Sequence, residues 1–281
     1  MALDNFIPEV WSAEILETMK TALVFGALAN RDYEGEITGA GDTVRINSIG
    51  TVSIKDYDRS AGIDAPEALD GAQTVLLIDQ EKYFNFSVAD LDRIQGNADQ
   101  RGAAVRESAY RLQKVMDSYL ASLYAGIASA NKITNAGAAI TPTSSTAYDY
   151  LVDLATKLDE ADVPDDGQRW AIVTPAFYGL LLKDSRFVAD GSAAGAETRA
   201  NGRVGEAAGL TIHKSTQVHT PSGSNRLIVA GHPSALSVAQ QVVSVEAFRP
   251  ERDFADAVKG LHVYGAKMVR PSCAATLLST L

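Results

Sequence analysis

The chain has 281 residues, 46% hydrophobic, 21% charged and 7% aromatic, which excludes wholesale disorder and fibrous repeats and allows one large domain or two modest ones. Its 35 acidic and 25 basic side chains leave a formal charge of -10, which argues against tight, direct gripping of nucleic acid. No apolar run approaches the roughly 20 residues of a membrane helix, and MALDNFIPEVW lacks the basic start and apolar stretch of a signal peptide, so the expected setting is a cytoplasm without membrane contact.

In chain order, Ser12 suits an N-cap, and Ile15, Met19 and Leu23 mark one face of a helix ending near Gly26. Trp11 either anchors a partner or staples onto that helix. Residues 35–92 form a β-rich arm with too little apolar content for a core. GEITGAGDTVRINSIG opens it, and DRSAGIDAPEALDGAQ is too polar to pack within its own subunit. TVLLIDQEKYFNFSVADLD returns as one alternating strand, with Tyr83, Asn85 and Ser87 on one face and Phe84, Phe86 and Val88 on the other. A two-stranded ribbon is marginal in water, so a neighbouring molecule is expected to support it.

From about Asp99 to Ala130 the period lengthens to that of a helix. Val105, Ala109, Leu112, Met116, Leu120, Leu123 and Ile127 make one stripe on a rod of about 45 Å. Arg101, Arg106, Glu107, Arg111, Lys114 and Asp117 read as its solvated face, with Glu107 and Arg111 spaced for an i,i+4 pair. Residues 131–145 are turn-prone and mark a boundary. A helix follows over 146–160 with Leu151, Leu154 and Leu158 inward, stopped by VPDDG. WAIVTP reads as a buried strand, AFYGLLLKDSRF as a short helix, residues 190–206 as a loop, and AGLTIHKS and NRLIVAG as strands. LSVAQQVVSVEAF and FADAVKGLHVYGAKMVRP are long strands separated by the RPERD turn.

Catalytic and metal motifs are sparse. In DYDRSAGIDAPE, Asp56, Asp58, Ser60, Asp64 and Glu67 fall on calcium-loop positions 1, 3, 5, 9 and 12, but Ala61 stands where that loop needs glycine and no helices flank it. A charged loop tip is the plainer reading. No phosphate-binding GxxxxGK[ST] or nucleophile GxSxG occurs, and His213, His219, His232 and His262 have no metal spacing, so each reads as surface or core-edge. The single cysteine, Cys273, reads as a small buried hydrophobe more readily than as a thiol nucleophile partnered by His262. No cofactor is implied.

FIPEVWSAEILETM, YEGEITGAGDTVRI, VTPAFYGLLLKDSRF, GEAAGLTIHKS and VKGLHVYGAKMVRP, in this order, resemble the major capsid proteins of tailed bacteriophages. The resemblance implies an α+β fold of the Hong Kong 97 type and a non-enzymatic shell protein. It assigns residues 1–35 to an N-terminal arm and 36–92 to an extended β-hairpin, the E-loop, lying across an adjacent subunit. Residues 93–144 and 241–281 would form the peripheral domain with a spine helix over 97–130, and 145–240 an inserted axial domain. Intersubunit contacts would fall at Trp11, Lys55, Asp56, Asp58 and Arg59, and around the RPERD turn at Arg249, Glu251, Arg252 and Asp253. Loops near 191–201 or 220–225 would meet around a capsomer centre.

The implied partners are further copies of the chain in hexamers and pentamers, a separate scaffolding protein because the arm starts too early for a fused one, a portal, decoration proteins, and packaged double-stranded DNA bound without sequence preference. The virion head is the implied location, after assembly in the host cytoplasm. An acidic lining would keep such DNA mobile. Lys55 is available for covalent cross-linking, but no acceptor is marked. An encapsulin-type cargo shell shares the expected fold; a soluble α/β enzyme with an oligomerisation arm is the alternative from another class.

Overall fold

The computed structural model describes residues 24–32, 43–49, 54, 56, 57, 59, 71–89, 100–184, 186, 205–251 and 255–281. In chain order the elements are β1 (Thr43–Ile49), β2 (Gly71–Leu77), β3 (Gln80–Ala89), α1 (Gln100–Leu123), β4 (Lys132–Ile133), α2 (Ala147–Glu160), β5 (Trp170–Val173), α3 (Pro175–Leu181), β6 (Glu206–Ala207), β7 (Leu210–Lys214), β8 (Arg226–Gly231), β9 (Leu236–Phe248), β10 (Ala255–Met268) and β11 (Ala274–Ser279).

Strand β10 is the middle of an antiparallel sheet ordered β3–β10–β9. Val258 and Val263 are an odd number of residues apart, so their side chains leave opposite faces of the strand. Val258 meets Ala109 and Leu112 of α1, with Val245, Phe84 and Phe86 beside them. Val263 meets Val44 and Ile46 of β1 and Leu76 and Ile78 of the β2 end, with Ala239 and Leu261. The β1–β2 ribbon and α1 therefore cover opposite faces of one sheet. Each ribbon side chain so buried contributes about 1.5–3 kcal/mol, enough to hold a ribbon that is marginal by itself.

A second sheet has the order β4–β11–β8–β5–β7–β6. Leu151, Leu154 and Leu158 of α2 are fully buried in the main core with Trp170, Ile172, Ile228 and Leu277. Thr174 follows β5 and caps α3: its Oγ1 accepts the Phe177 N–H at 3.1 Å, and Pro175 occupies the first turn, where a missing N–H costs nothing. Arg169, buried at the VPDDG turn, donates to the Val163 and Pro164 carbonyls at 2.6 and 3.1 Å and to Asp159 at 2.6 Å.

Several expectations are corrected. TVLLIDQEKYFNFSVADLD is two strands in two sheets, because the chain turns at Ile78 and Asp79 after β2 pairs with β1 and before β3 pairs with β10. The arm is consequently not unsupported: its base packs within the subunit. The long helix stops at Leu123 instead of continuing to residue 130. A 3₁₀ turn over Tyr124–Gly126 follows and Ile127 is extended, yet Tyr124 and Ile127 stay buried, which is why they prolonged the stripe. The expected domain limits do not match the sheets, since β4 from 93–144 and β11 from 241–281 complete the six-stranded sheet. Residues 24–27 are bends and turns, not the end of a helix.

The ribbon base lies on β10 so closely that a Cβ at Gly265 would collide with the Leu77 carbonyl oxygen and stand 2.8 Å from Ile78 Cα, both backbone atoms. Gly265→Ala is expected to cost about 1–3 kcal/mol in urea unfolding. A loss below about 0.5 kcal/mol would show that the ribbon does not seat there.

Candidate assembly surface

Strand alternation decides what the ribbon leaves exposed. Leu76 and Ile78 are buried against β10, while Val75 and Leu77 face outward. Toward the tip, Ile54 is 99% exposed and Tyr57 68%. Asp56 and Arg59 are exposed beside them. Past the ribbon, the same side of the three-stranded sheet is open: Tyr83 is 79% exposed, Asn85 and Ser87 are exposed, and Lys259 bonds Glu246 at 2.8 Å. Isolated apolar side chains are ordinary on a surface, but two of them close together beyond a strand pair mark a candidate docking element.

Two features fix the helix on the other side. The Asp117 carboxylate, buried, accepts the Val24 N–H at 2.9 Å and the Gly26 N–H at 3.2 Å. Burial pushes its pKa up, against the opposing pull of those N–H groups and Arg31. Residue 30 continues the fastening, with Asn30 N–H donating to Leu236 O and Val238 N–H donating to Asn30 O. Asp117→Ala would leave two backbone donors unpaired and is expected to cost about 2–4 kcal/mol. Limited proteolysis before Val24 should accelerate with it; an unchanged cleavage rate would contradict the clamp.

Under α1 lies a polar layer. His262 is 1% exposed, its ring 5.1 Å from that of Tyr264, which Tyr119 of α1 meets edge-on at 5.6 Å. Tyr264 pairs in register with Gln240. Neither His262 nitrogen, nor the Tyr264 hydroxyl, nor the Gln240 amide has a hydrogen-bond partner among the described residues. Burial lowers the His262 pKa to about 4 and, with Tyr119 and Asp79 adding to it, raises that of Tyr264 to about 12. The unfolded chain binds a proton at His262 more readily than the folded one, so stability is full above about pH 6.5 and falls as pH drops toward 4. The lowering from 6.5 to about 4 corresponds to a loss on the order of 3 kcal/mol across that window. His262→Gln should flatten the stability profile there, measured by urea unfolding at successive pH values; an equally steep profile would exonerate His262.

A family profile described as phage capsid protein matches residues 73–277. The chain belongs to the phage capsid protein family. Among solved structures, this capsid protein is similar to one from Mycobacterium phage Che8, with 31% identity, 98% of each chain covered and a TM-score of 0.76. A capsid structure of the cyanophage P-SCSP1u shares the fold at 19% identity, covering 92% of this chain and 88% of that one, TM-score 0.72. A virus-like particle from Pyrococcus furiosus does so at 16% identity, covering 98% and 100%, TM-score 0.61. No curated protein matches. The fold is of the Hong Kong 97 type, and the protein is a major capsid protein, a structural component of a phage head. The cargo-shell alternative is not favoured by this family match.

Of the sequence-predicted contact residues, Asp56 and Arg59 sit exposed near the hairpin tip, and Arg249 and Glu251 are exposed just beyond β9. Trp11, Lys55, Asp58, Asp64, Glu67, Arg252 and Asp253 lie outside the described residues, as do the 191–201 loop and the 1–23 segment. Among the described residues no three His, Cys, Asp or Glu side chains gather as metal ligands. Cys273 is buried at the entrance to β11, in a different sheet from His262. His262 is fully interior, not core-edge, and Asp117 is a buried clamp, not a solvated residue. The sequence reading missed Gly265 and the polar layer. Their signals were a glycine inside a long strand and a His-x-Tyr pair on one strand face.

Proposed function

We propose that copies of this capsid protein close as hexamers and pentamers into the icosahedral head of a tailed, double-stranded DNA phage, each hairpin crossing onto the adjacent subunit. The observation that carries this reading is the stretch beyond the paired strands: Ile54 and Tyr57 stand in solvent, while the ribbon is seated on β10 through Val44, Ile46, Leu76 and Ile78. Burying the tip on a neighbour removes apolar surface from water and shields free strand edges. Such contacts join unlike surfaces, so rings and shells can form. In this reading residues 36–92 include the reaching element, α1 is the spine, and the lobe around α2 and α3 forms the axial part.

A scaffolding protein, a portal and decoration proteins are the expected partners, with assembly in the host cytoplasm and no catalytic step. The RPERD turn, with Arg249 and Glu251 exposed, supplies contacts between capsomers. Expansion around incoming DNA would move α1 over the sheet. The layer of His262, Tyr264 and Gln240 supports that movement, since unpaired polar groups grip less firmly than interlocked apolar ones.

Deleting residues 56–70 should leave a folded subunit, judged by circular dichroism and an unchanged unfolding midpoint, while sedimentation and electron microscopy find no closed shells. Normal particles from the deleted chain would defeat the reading.

A further inference from the structure

The side of the subunit bearing α1 carries charge that the chain's overall balance conceals. Arg106, Tyr110 and Lys114 recur every four residues, so they line up along one exposed edge of α1. At the lower end of that line opens a groove of about 340 Å³ between α1 and the end of β7, where Lys214 and Thr216 face Lys114 across it. Arg106, Lys114 and Lys214 have no carboxylate partner among the described residues. Lys214 instead lies 4.5 Å over the Tyr178 ring. Nearby acids are already engaged: Asp117 accepts backbone N–H groups, and Glu107 is bonded to Arg111 at 2.6 Å. The result is a local cationic strip on a chain of charge -10.

Its position is informative. α1 and the hairpin cover opposite faces of the three-stranded sheet, and the hairpin's tip sequence, residues 54–70, carries five acidic residues against two basic ones. In a closed wall of like-oriented copies, one of these sides faces in.

We propose that the α1 side is the inner wall and that Arg106, Lys114 and Lys214 bind the phosphodiester backbone of packaged DNA. This rests on the phage-head reading above. Cations spread along a helix edge suit a run of phosphates better than one carboxylate, and the Thr216 hydroxyl and Tyr110 add the neutral donors that accompany such contacts. No base is read, so binding is independent of sequence. The strip interrupts the acidic lining expected from the net charge, and the acidic surplus elsewhere keeps the attraction confined to it.

The test uses full-length subunits and a fluorescent DNA duplex, with anisotropy titrations over a range of salt. The triple variant Arg106→Gln, Lys114→Gln, Lys214→Gln should bind at least tenfold more weakly and lose close to three of the wild-type log–log salt slope, about 0.9 per phosphate contact. Exchanging both lysines for arginine should preserve it. Shell formation is followed in parallel by electron microscopy and should be normal for every variant. An unchanged slope, wild-type subunits that ignore DNA, or a triple variant that loses polyglutamate binding but keeps DNA binding would each overturn the site. Failure of the wild type to form shells would instead contradict the phage-head reading while leaving the DNA measurement valid.

Discussion

Everything in this subunit hangs on β10 being covered on both faces. One face holds α1 through Val258 and its neighbours, and the other holds the ribbon through Val263, so a single 14-residue strand carries the long helix on one side and the hairpin on the other. Gly265 belongs to that constraint, because only a residue without Cβ lets the Leu77–Ile78 backbone rest on the strand. The ribbon is firmly seated on β10, and Ile54 and Tyr57 beyond its paired strands are exposed. In the proposed assembly that seating leaves the far end of the strand pair to a neighbouring subunit.

The two sides of β10 differ in how they are filled. Against the ribbon the contacts are aliphatic and close, as expected of a joint that must not slip. Against α1 they begin as aliphatic and aromatic contacts near Ala109 and Leu112, then give way to His262, Tyr264 and Gln240 with unpaired polar atoms. Tyr264 is at the same time part of the main core with Met116, Leu120 and Tyr124, and Tyr119 packs on its ring. The second half of the helix is thus held by hydrophobic packing and the Asp117 clamp, with unpaired polar groups beside the contact. Charge follows the same two-sided plan, with basic groups along α1 and acidic ones in the hairpin-tip sequence.

Local patterns were legible in the sequence wherever one face meets one core. Leu151, Leu154 and Leu158 announced α2, the apolar run WAIV announced a strand buried on both sides, and the two long C-terminal strands were found nearly to the residue. The Tyr83, Asn85 and Ser87 face was likewise visible as the exposed side of β3. What alternation cannot reveal is which sheet a strand joins. Residues 74–89 keep an unbroken period through Asp79, although β2 and β3 pair with different partners. Likewise β11 lies last in the chain but pairs with β8 and β4, a choice made by distant strands. Asp117 was misread because an acid beside a stripe resembles a solvated residue until the chain it fastens is in place. The sequence pointed to exposed charge at Asp56, Arg59, Arg249 and Glu251 but not to the depth to which the ribbon base is anchored.

The central claim is that the hairpin is sealed at its base by its own subunit and at its tip by another. Electron cryomicroscopy of assembled particles tests it most directly. The account predicts closed shells in which the segment around Ile54 and Tyr57 lies on a neighbouring subunit while Gly265 and Leu77 remain in contact within one chain. Shells in which each tip folds back onto its own subunit, or a small discrete oligomer in place of shells, would contradict it.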